Sequence, residues 1–104
     1  MAHVKYQLRY LLIFYEDMAE VVDYISNDLQ NPTAAMKLID ITEQAILKRL
    51  KNPLSFQPIH SKEERKYPYY RININNYSVF YVVIGDVMEV RRFLYSRRDI
   101  QSII

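Results

Sequence analysis

The sequence predicts an α+β fold with an N-terminal strand, an antiparallel helix hairpin and a C-terminal antiparallel meander of three strands. The first observation behind this is a stretch between residues 14 and 50 in which apolar side chains recur at helical spacing, interrupted once by an Asn-Pro pair. The second is a run from residue 69 to residue 95 in which apolar residues alternate and two short turns separate three segments. We therefore expect the hairpin to pack on one face of a twisted sheet.

Composition restricts the possible functions. Of the 104 residues, 50% are apolar, which is enough for one small core, so we expect a single domain over residues 1–104. The absence of cysteine excludes disulfides, thiolate metal sites and a thiol nucleophile. The histidines, His3 and His60, have no metal-ligand spacing around them, and we expect no metal and no cofactor. No apolar run is long enough to cross a membrane and no cleavable leader is evident, so we expect a soluble cytoplasmic protein.

Each N-terminal element has its own signal. Residues 3–12 alternate polar with apolar, which is typical of a strand. In the first helix we place Glu16 and Asp17 in the first turn, where negative charge complements the helix dipole. Asn31-Pro32 is a cap followed by a first-turn proline, and the second helix is expected to stop at Asn52-Pro53. The expected inner stripes are Phe14, Met18, Val21, Ile25 and Leu29 in the first helix and Ala35, Leu38, Thr42, Ala45 and Leu50 in the second.

The C-terminal half begins with a loop and continues as the meander. Residues 53–67 have no period, and we interpret them as the loop. The strands are "YYRINI", "YSVFYVVI" and "VMEVRRFLY", separated by the two-residue turns Asn75-Asn76 and Gly85-Asp86. Tight turns fix the register, so Arg71 is expected to face Phe80, and Phe80 to face Arg91.

This register sorts the strand residues onto two faces. The apolar face, which should pack on the helices, has the expected members Tyr70, Ile72, Ile74, Tyr77, Val79, Tyr81, Val83, Met88, Val90 and Leu94, with Arg92 near an edge. The other face mixes cationic and aromatic side chains, namely Tyr69, Arg71, Asn73, Ser78, Phe80, Glu89, Arg91, Phe93 and Tyr95. No helix is left to cover that face, so we expect it to be open and functional. A β-bulge in the last strand would change the placement of Arg91 and Tyr95.

Charge is distributed unevenly although the net charge is only +2. Between Tyr10 and Met36 every charged residue is acidic, whereas from Lys62 onward eight bases outnumber five acids. The segment "RRFLYSRRD", residues 91–99, gathers four arginines around one tyrosine. A basic end of this kind favours a nucleic acid or an acidic protein as partner, and an ordinary solvated surface would show the same pattern.

The residues of the mixed face permit two chemical interpretations and a structural one. Arginines beside aromatic rings suit a single-stranded nucleic acid, with guanidinium groups on phosphates and rings on bases. Metal-free ribonuclease chemistry would use an acid or base and cations that stabilise the phosphate. The candidate acids or bases are His60, Tyr95 and Glu89, and the candidate cations are Arg71, Arg97 and Arg98. In the structural alternative the rings bury one another and the arginines pair with Glu89 and Asp99.

The order of the elements, with their sequence details, resembles the RelE/ParE superfamily of toxins from bacterial type II toxin-antitoxin (plasmid stabilisation) systems. The resemblance is carried by "EDMAEVVDYI" in the first helix, "AAMKLIDITEQAILKRLKNP" in the second and "YYRININNYSVFYVVIGDVMEVRRFLYSRRD" in the meander. Residues Tyr95 to Asp99 match a His-x-Arg-Arg-Asp-like motif of that superfamily, with tyrosine where histidine is common. Members that cleave mRNA on the ribosome usually have an arginine after the tyrosine of the central strand, where this chain has Ser78 after Tyr77.

The long amphipathic hairpin looks more like the ParE branch, whose members inhibit DNA gyrase. The resemblance therefore implies a growth-arresting gyrase inhibitor, with a ribosome-dependent mRNA endoribonuclease and a non-toxic binding domain as alternatives. For a nuclease, the catalytic residues would be Arg71, Tyr95, Arg97 and Arg98. Contacts with nucleic acid or another target are expected from Arg71, Phe80, Arg91, Phe93, Arg97 and Arg98. The implied partners are an acidic antitoxin, forming a hetero-oligomer with the toxin, and either gyrase or the ribosome with its mRNA.

Overall fold

Four strands form one mixed sheet, and a helix hairpin packs on one of its faces. The computed structural model of the protein describes residues 4–61 and 64–104, so His3 and the start of the expected strand at residue 3 lie outside the described residues. The elements are β1 (Gln7–Tyr10), α1 (Leu12–Asp23) followed by a π-helical turn (Tyr24–Asp28), α2 (Pro32–Leu50), β2 (Tyr70–Ile74), β3 (Tyr77–Ile84), β4 (Val87–Tyr95) and α3 (Ile100–Ile103). The strand order is β1-β4-β3-β2, with β1 parallel to β4 and the other neighbours antiparallel. The α+β fold that the sequence predicts is confirmed.

The strand β1 is shorter than expected because the chain enters the first helix early. The Leu11 N–H donates to the Val90 carbonyl at 2.9 Å, and the Phe14 N–H already donates to the Leu11 carbonyl at 3.0 Å. An apolar run such as residues 11–13 suits a strand or a helix equally, so the pattern does not place this boundary. Because α1 begins at Leu12, no acidic residue lies in its first turn, and the prediction that Glu16 and Asp17 lie there is wrong.

The helix hairpin forms as predicted, with one change of phase. Asn31 Oδ1 accepts a hydrogen bond from the Ala34 N–H at 3.1 Å, and Pro32 is the first residue of α2, which confirms the predicted cap. The end of α1 is a π-helical turn, whose hydrogen bonds join residues five apart and move later residues out of the helical stripe. Leu29 is therefore 55% exposed and not part of the inner stripe. In residues 4–61 and 64–104, no helix is both long and apolar enough to cross a bilayer.

One apolar cluster joins the hairpin to the sheet. Phe14 comes from α1, and Leu38 and Ile46 come from α2. The sheet contributes Tyr70, Ile72, Ile74, Val79, Tyr81, Met88, Val90 and Phe93. The helix-facing side of the sheet is therefore the apolar face that the sequence predicts, except for the residues that follow a bulge in β4.

The turns of the meander have the expected backbone. Asn75 has a φ of 54° and Gly85 a φ of 61°, the left-handed region that tight hairpin turns need. The strands agree with the predicted runs, except that β2 begins at Tyr70. Arg71 faces Phe80 as predicted.

A β-bulge changes the register in the middle of β4. Phe80 pairs with Arg92, while the next pair of the ladder joins Tyr81 to Val90, so Arg91 is an extra residue. The predicted pairing of Phe80 with Arg91 is therefore wrong. Because an inserted residue reverses the alternation of side chains beyond it, Phe93 lies in the core and the following Leu94 lies on the opposite face of the sheet.

The second face of the sheet is covered, and the prediction of an open face is wrong. Ser78, Phe80 and Val82 are all 0% exposed, and Leu94 is 3% exposed. The chain on this side comes from the loop before β2 and from the segment after β4. The Arg65 guanidinium lies over the Tyr69 ring, whose hydroxyl binds Arg91 of β4, and Gln101 donates to the His60 carbonyl. Neither covering segment has a sequence period, so the pattern gave no sign of it.

Candidate functional site

Two of the four arginines in the basic end, residues 91–99, are held inside the fold. Arg91 Nε donates to Glu89 Oε1 at 2.7 Å, and Arg91 Nη1 donates to the Tyr69 hydroxyl at 3.1 Å. Arg92 donates to both carboxylate oxygens of Asp17, at 2.7 and 2.9 Å. These partly buried guanidinium groups stabilise the fold, and because Arg91 is paired with Glu89 its contact with a target stays a prediction.

Glu89 lies at the centre of a charged network that joins β1 to β4. Its side chain is 7% exposed, and it also accepts hydrogen bonds from Arg9, one of them at 2.8 Å. Burial raises the pKa of the Glu89 carboxyl, but the hydrogen bonds from Arg91 and Arg9 outweigh burial and hold the pKa below its usual value. A carboxylate in this setting stays ionised and is a poor proton donor near neutral pH. The geometry therefore gives Glu89 a structural role.

Asp17 is the residue that sequence reasoning missed. It accepts a hydrogen bond from the Phe93 N–H at 3.0 Å. Because β1 ends at Tyr10, this stretch of β4 has no neighbouring strand on that side among the residues described, and the carboxylate takes the place of a strand carbonyl. A signal was present, since Asp17 follows Phe14 by three residues and precedes Val21 by four, which places it on the inner stripe. An acid at such a position is expected to have a partner.

The other two arginines of the basic end, Arg97 and Arg98, are exposed in the turn after β4. Within residues 4–61 and 64–104, neither guanidinium has a hydrogen bond or an ion pair. Arg98 borders a recess of about 220 Å³ at the end of the sheet, beside the end of α1. The other polar and aromatic side chains of this recess include Glu20, Tyr24, Tyr77 and Tyr95.

Three tyrosines line this recess, which we call the tyrosine recess. The rings of Tyr77 and Tyr95 have centroids 5.8 Å apart and are tilted by 64°. Burial, followed by the neighbouring Tyr24 and Tyr95, raises the pKa of the Tyr77 hydroxyl above its usual value of 10.0. The hydroxyl is therefore neutral at physiological pH and able to donate a hydrogen bond. The carboxylate of Glu20 lines the recess as well as the guanidinium of Arg98, so the recess offers a partner both a cationic donor and an acceptor.

The four residues of the candidate nuclease site do not form one cluster. Arg71 faces Phe80 across β2 and β3, whereas Tyr95 faces Tyr77 across β3 and β4. Tyr77 and Phe80 are three residues apart in a regular strand, so Arg71 and Tyr95 lie on opposite faces of the sheet. The structure brings Tyr95 and Arg98 together at the tyrosine recess and leaves Arg71 apart from them.

The remaining candidates are buried or lie elsewhere. Phe80 is 0% exposed and Phe93 is 1% exposed, so both rings are buried in the fold, and their contact with a target stays a prediction. The Arg71 guanidinium lies 5.1 Å from the centroid of the Phe80 ring, and its buried Nε has no acceptor among the described residues. His60 is exposed and lines a different cleft, next to the C-terminal segment. The described residues contain no group of three or more His, Asp and Glu side chains that could hold a metal ion.

Comparison with known proteins adds the family. The sequence matches the family described as the ParE toxin of the type II toxin-antitoxin system, parDE, over residues 7–100. A search of curated proteins finds no match to this sequence. Among solved structures, the chain is similar to one described as the chromosomal ParDE TA system from P. aeruginosa, with a TM-score of 0.63 and 21% identity over 90% of this chain and 98% of that chain. At that identity the likeness concerns the fold. Because the family match spans most of its length, the chain belongs to the ParE toxin family of type II toxin-antitoxin systems, within the RelE/ParE superfamily.

Proposed function

We propose that this protein is a toxin that arrests bacterial growth by binding and inhibiting DNA gyrase, with residues 1–104 acting as one domain. The observation that carries the proposal is the pair of exposed cations Arg97 and Arg98, which have no ion pair within residues 4–61 and 64–104 and of which Arg98 lines the tyrosine recess. An inhibitor that works by binding needs a surface of this kind and no set of reacting groups. We assign target binding to Arg97, Arg98 and Tyr95, with Tyr24 at the edge of the same recess. Membership of the ParE family supports the assignment.

Cleavage of mRNA on the ribosome is less well supported by the geometry. That reaction needs a base, an acid and a cation around one phosphate. Glu89 is held by two arginines, and Arg71 lies on the opposite face of the sheet from Tyr95. In this arrangement one phosphate cannot contact Arg71 and Tyr95 together.

We infer that an acidic antitoxin neutralises the protein by covering the same end, and that the two form a hetero-oligomer in the cytoplasm. Exposed arginines steer an acidic segment to this surface by long-range attraction. The outer side of the hairpin offers apolar contacts in addition, since Leu12, Tyr15 and Met36 are 72%, 54% and 62% exposed. A segment with acidic and apolar side chains would contact both regions, and the type II toxin-antitoxin family match supports such a partner.

Induction of the full chain in bacteria that lack an antitoxin tests the proposal. Growth is expected to stop, and primer extension on a translated message is expected to show no codon-phased cuts. The Arg97→Ala/Arg98→Ala double variant should grow normally. The control is Lys48→Ala/Lys51→Ala, which removes the same charge from the end of α2 and should arrest growth like the wild type.

Two results would contradict the proposal in different ways. Normal growth with soluble wild-type protein would show that the chain is not a toxin. Phased cuts that disappear in the Arg98→Ala variant would show that it is a toxin that acts on mRNA.

A further inference from the structure

A recess of about 310 Å³ lies where the end of β1 meets α1 and α2. Its apolar lining comes from Met18 of α1 and from Ile39 and Ile46 of α2, and we call it the hairpin recess. The volume lies at the lower end of the range of sites that hold small molecules. No described residue lines both this recess and the tyrosine recess, so the two are separate sites on the molecule.

Three aromatic rings form one wall of the hairpin recess. The ring centroid of Tyr10 lies 5.2 Å from that of Phe14 and 5.3 Å from that of Tyr15, and the centroids of Phe14 and Tyr15 are 5.8 Å apart. Each ring therefore packs on the other two. Aromatic rings pack on the ring of a ligand, and their faces attract a cation.

Glu43 gives the hairpin recess a negative charge. Among the described residues that line it, Glu43 has the one charged side chain, and its carboxylate has no hydrogen bond or ion pair within residues 4–61 and 64–104. Burial, followed by the neighbouring Tyr15 and Glu43, raises the pKa of the Tyr10 hydroxyl above its usual value of 10.0. Tyr10 is therefore neutral at physiological pH, and Glu43 sets the charge.

The residues beside Glu43 on α2 are not cationic. The positions three and four residues away, which are its neighbours on the helix surface, are Ile39, Asp40, Ile46 and Leu47. In α1 and the π-helical turn that follows it, every charged residue is acidic. The hairpin recess therefore favours a cationic ligand over a neutral or anionic one.

Thr42 adds a buried hydroxyl next to Glu43 in α2. The residue is 1% exposed and lines the recess, and its hydroxyl has no hydrogen-bond partner among the described residues. An unpaired buried hydroxyl costs the fold free energy, and a ligand N–H can supply the missing partner. The recess thus combines two acceptors for an ammonium group with aromatic and apolar walls.

We propose that the hairpin recess binds a small protonated amine that carries an aromatic ring, of the size of phenethylamine. The ammonium group lies on the Glu43 carboxylate and donates to the Thr42 hydroxyl. The ring of the ligand lies against Tyr10, Phe14 and Ile39, so that the ligand contacts β1 and both helices of the hairpin.

An NMR titration of the isotope-labelled full chain tests this proposal, because the backbone amide shifts report both the site and the affinity. The probes are phenethylamine, phenethyl alcohol and phenylacetate, which share the aromatic ring and differ in charge. Phenethylamine is expected to shift the amides of Thr42, Glu43 and Ile46 in a saturable way. Phenethyl alcohol should bind more weakly, and phenylacetate should be the weakest ligand because Glu43 repels it.

Glu43→Gln keeps the size of the side chain and removes its charge. It should weaken phenethylamine binding about fivefold or more, since a charge-assisted contact is lost, and should leave phenethyl alcohol binding unchanged. The matched control is Glu16→Gln, which makes the same change at an exposed residue of α1 that does not line the recess and should leave the affinity for the amine unchanged.

Thr42→Val separates binding from folding. The variant should be more stable than the wild type, because the unpaired hydroxyl is gone, and should nevertheless bind phenethylamine more weakly. The proposal is overturned if millimolar phenethylamine causes no saturable shift in the wild type, or if phenylacetate binds as tightly as the amine. It is also overturned if Glu16→Gln weakens amine binding as much as Glu43→Gln, or if Thr42→Val binds the amine like the wild type.

Discussion

Asp17 binds three hydrogen-bond donors at once, two from Arg92 and one from the Phe93 N–H. Glu89, in β4 itself, likewise accepts hydrogen bonds from Arg91 and Arg9. Two carboxylates thereby remove half of the arginines in the basic end from the surface. Within the basic end, the arginines that have no carboxylate partner among the described residues are Arg97 and Arg98.

Replacing Asp17 by alanine should lower the free energy of unfolding by about 1 to 3 kcal/mol. The reason is that the Arg92 side chain, 20% exposed, and the Phe93 N–H both lose their acceptor. Chemical denaturation measures the change. The control is Glu16→Ala, an exposed neighbour whose loss should change stability by less than about 0.5 kcal/mol. Equal losses in the two variants would contradict the role given to Asp17.

The lowered pKa of Glu89 predicts a specific pH dependence. Since its pKa is lower in the folded than in the unfolded chain, protonation favours unfolding. The stabilisation from Glu89 is fully present above the ordinary value of 4.5 and is lost as pH falls through the lower folded value. Glu89→Gln should therefore be less stable than the wild type at pH 7 and should lose less stability below about pH 4.5. Parallel curves of stability against pH for the two proteins would contradict this.

At the scale of elements, β4 consists of two stretches separated by the bulge, and the alternation of side chains between the two faces is reversed from one stretch to the other. The bulge therefore determines which residues of β4 are buried against the hairpin. Before the bulge, Met88 and Val90 face the hairpin, and after it Phe93 does.

The outer edge of the sheet at β2 is also partly closed. The Tyr69 carbonyl accepts from the Ile59 N–H at 2.7 Å, and the Arg71 carbonyl accepts from Arg49 Nη1 at 3.2 Å. Capped carbonyls of this kind hinder pairing with a strand of another molecule.

The helix α2 contains one buried group that the fold leaves unsatisfied. Thr42 is 1% exposed, and its hydroxyl has no hydrogen-bond partner among the described residues. Thr42→Val, which keeps the shape and removes the hydroxyl, should therefore raise the free energy of unfolding by about 1 kcal/mol. Thr33→Val, at an exposed position of the same helix, should change it by less than about 0.5 kcal/mol. A loss of stability in Thr42→Val, measured by denaturation, would show that the hydroxyl has an acceptor.

Elements with local signals could be predicted from the sequence, and contacts between distant segments could not. The Asn31 cap, the turns at Asn75 and Gly85, and the three meander strands follow from residue types and period. The bulge at Arg91 depends on how β3 and β4 pack together, so no local signal marks it. The same holds for the ion pair between Arg92 and Asp17, which are 75 residues apart. At the candidate site, the motif at residues 95–99 indicated Arg97 and Arg98 as candidate residues. The burial of Phe80 could not be predicted, because the segments that cover it have no sequence period.

At the scale of the whole molecule, the sheet is covered on both faces, by the hairpin on one side and by irregular segments on the other. This leaves the turn after β4 as a cationic projection at one end, with the tyrosine recess beside it. A partner that binds there meets aromatic side chains and two exposed guanidinium groups, which suits recognition of an acidic surface. We therefore expect this end of the molecule, and not the faces of the sheet, to bind the target.

A supercoiling assay with purified DNA gyrase measures whether this end of the protein binds and inhibits the enzyme. Wild-type protein should inhibit supercoiling and trap cleaved DNA, and the Arg97→Ala/Arg98→Ala variant should need a concentration about tenfold higher or more, because two charged contacts are lost. Lys48→Ala/Lys51→Ala should inhibit like the wild type. Full supercoiling activity in the presence of folded wild-type protein, or equal inhibition by the two double variants, would contradict the account.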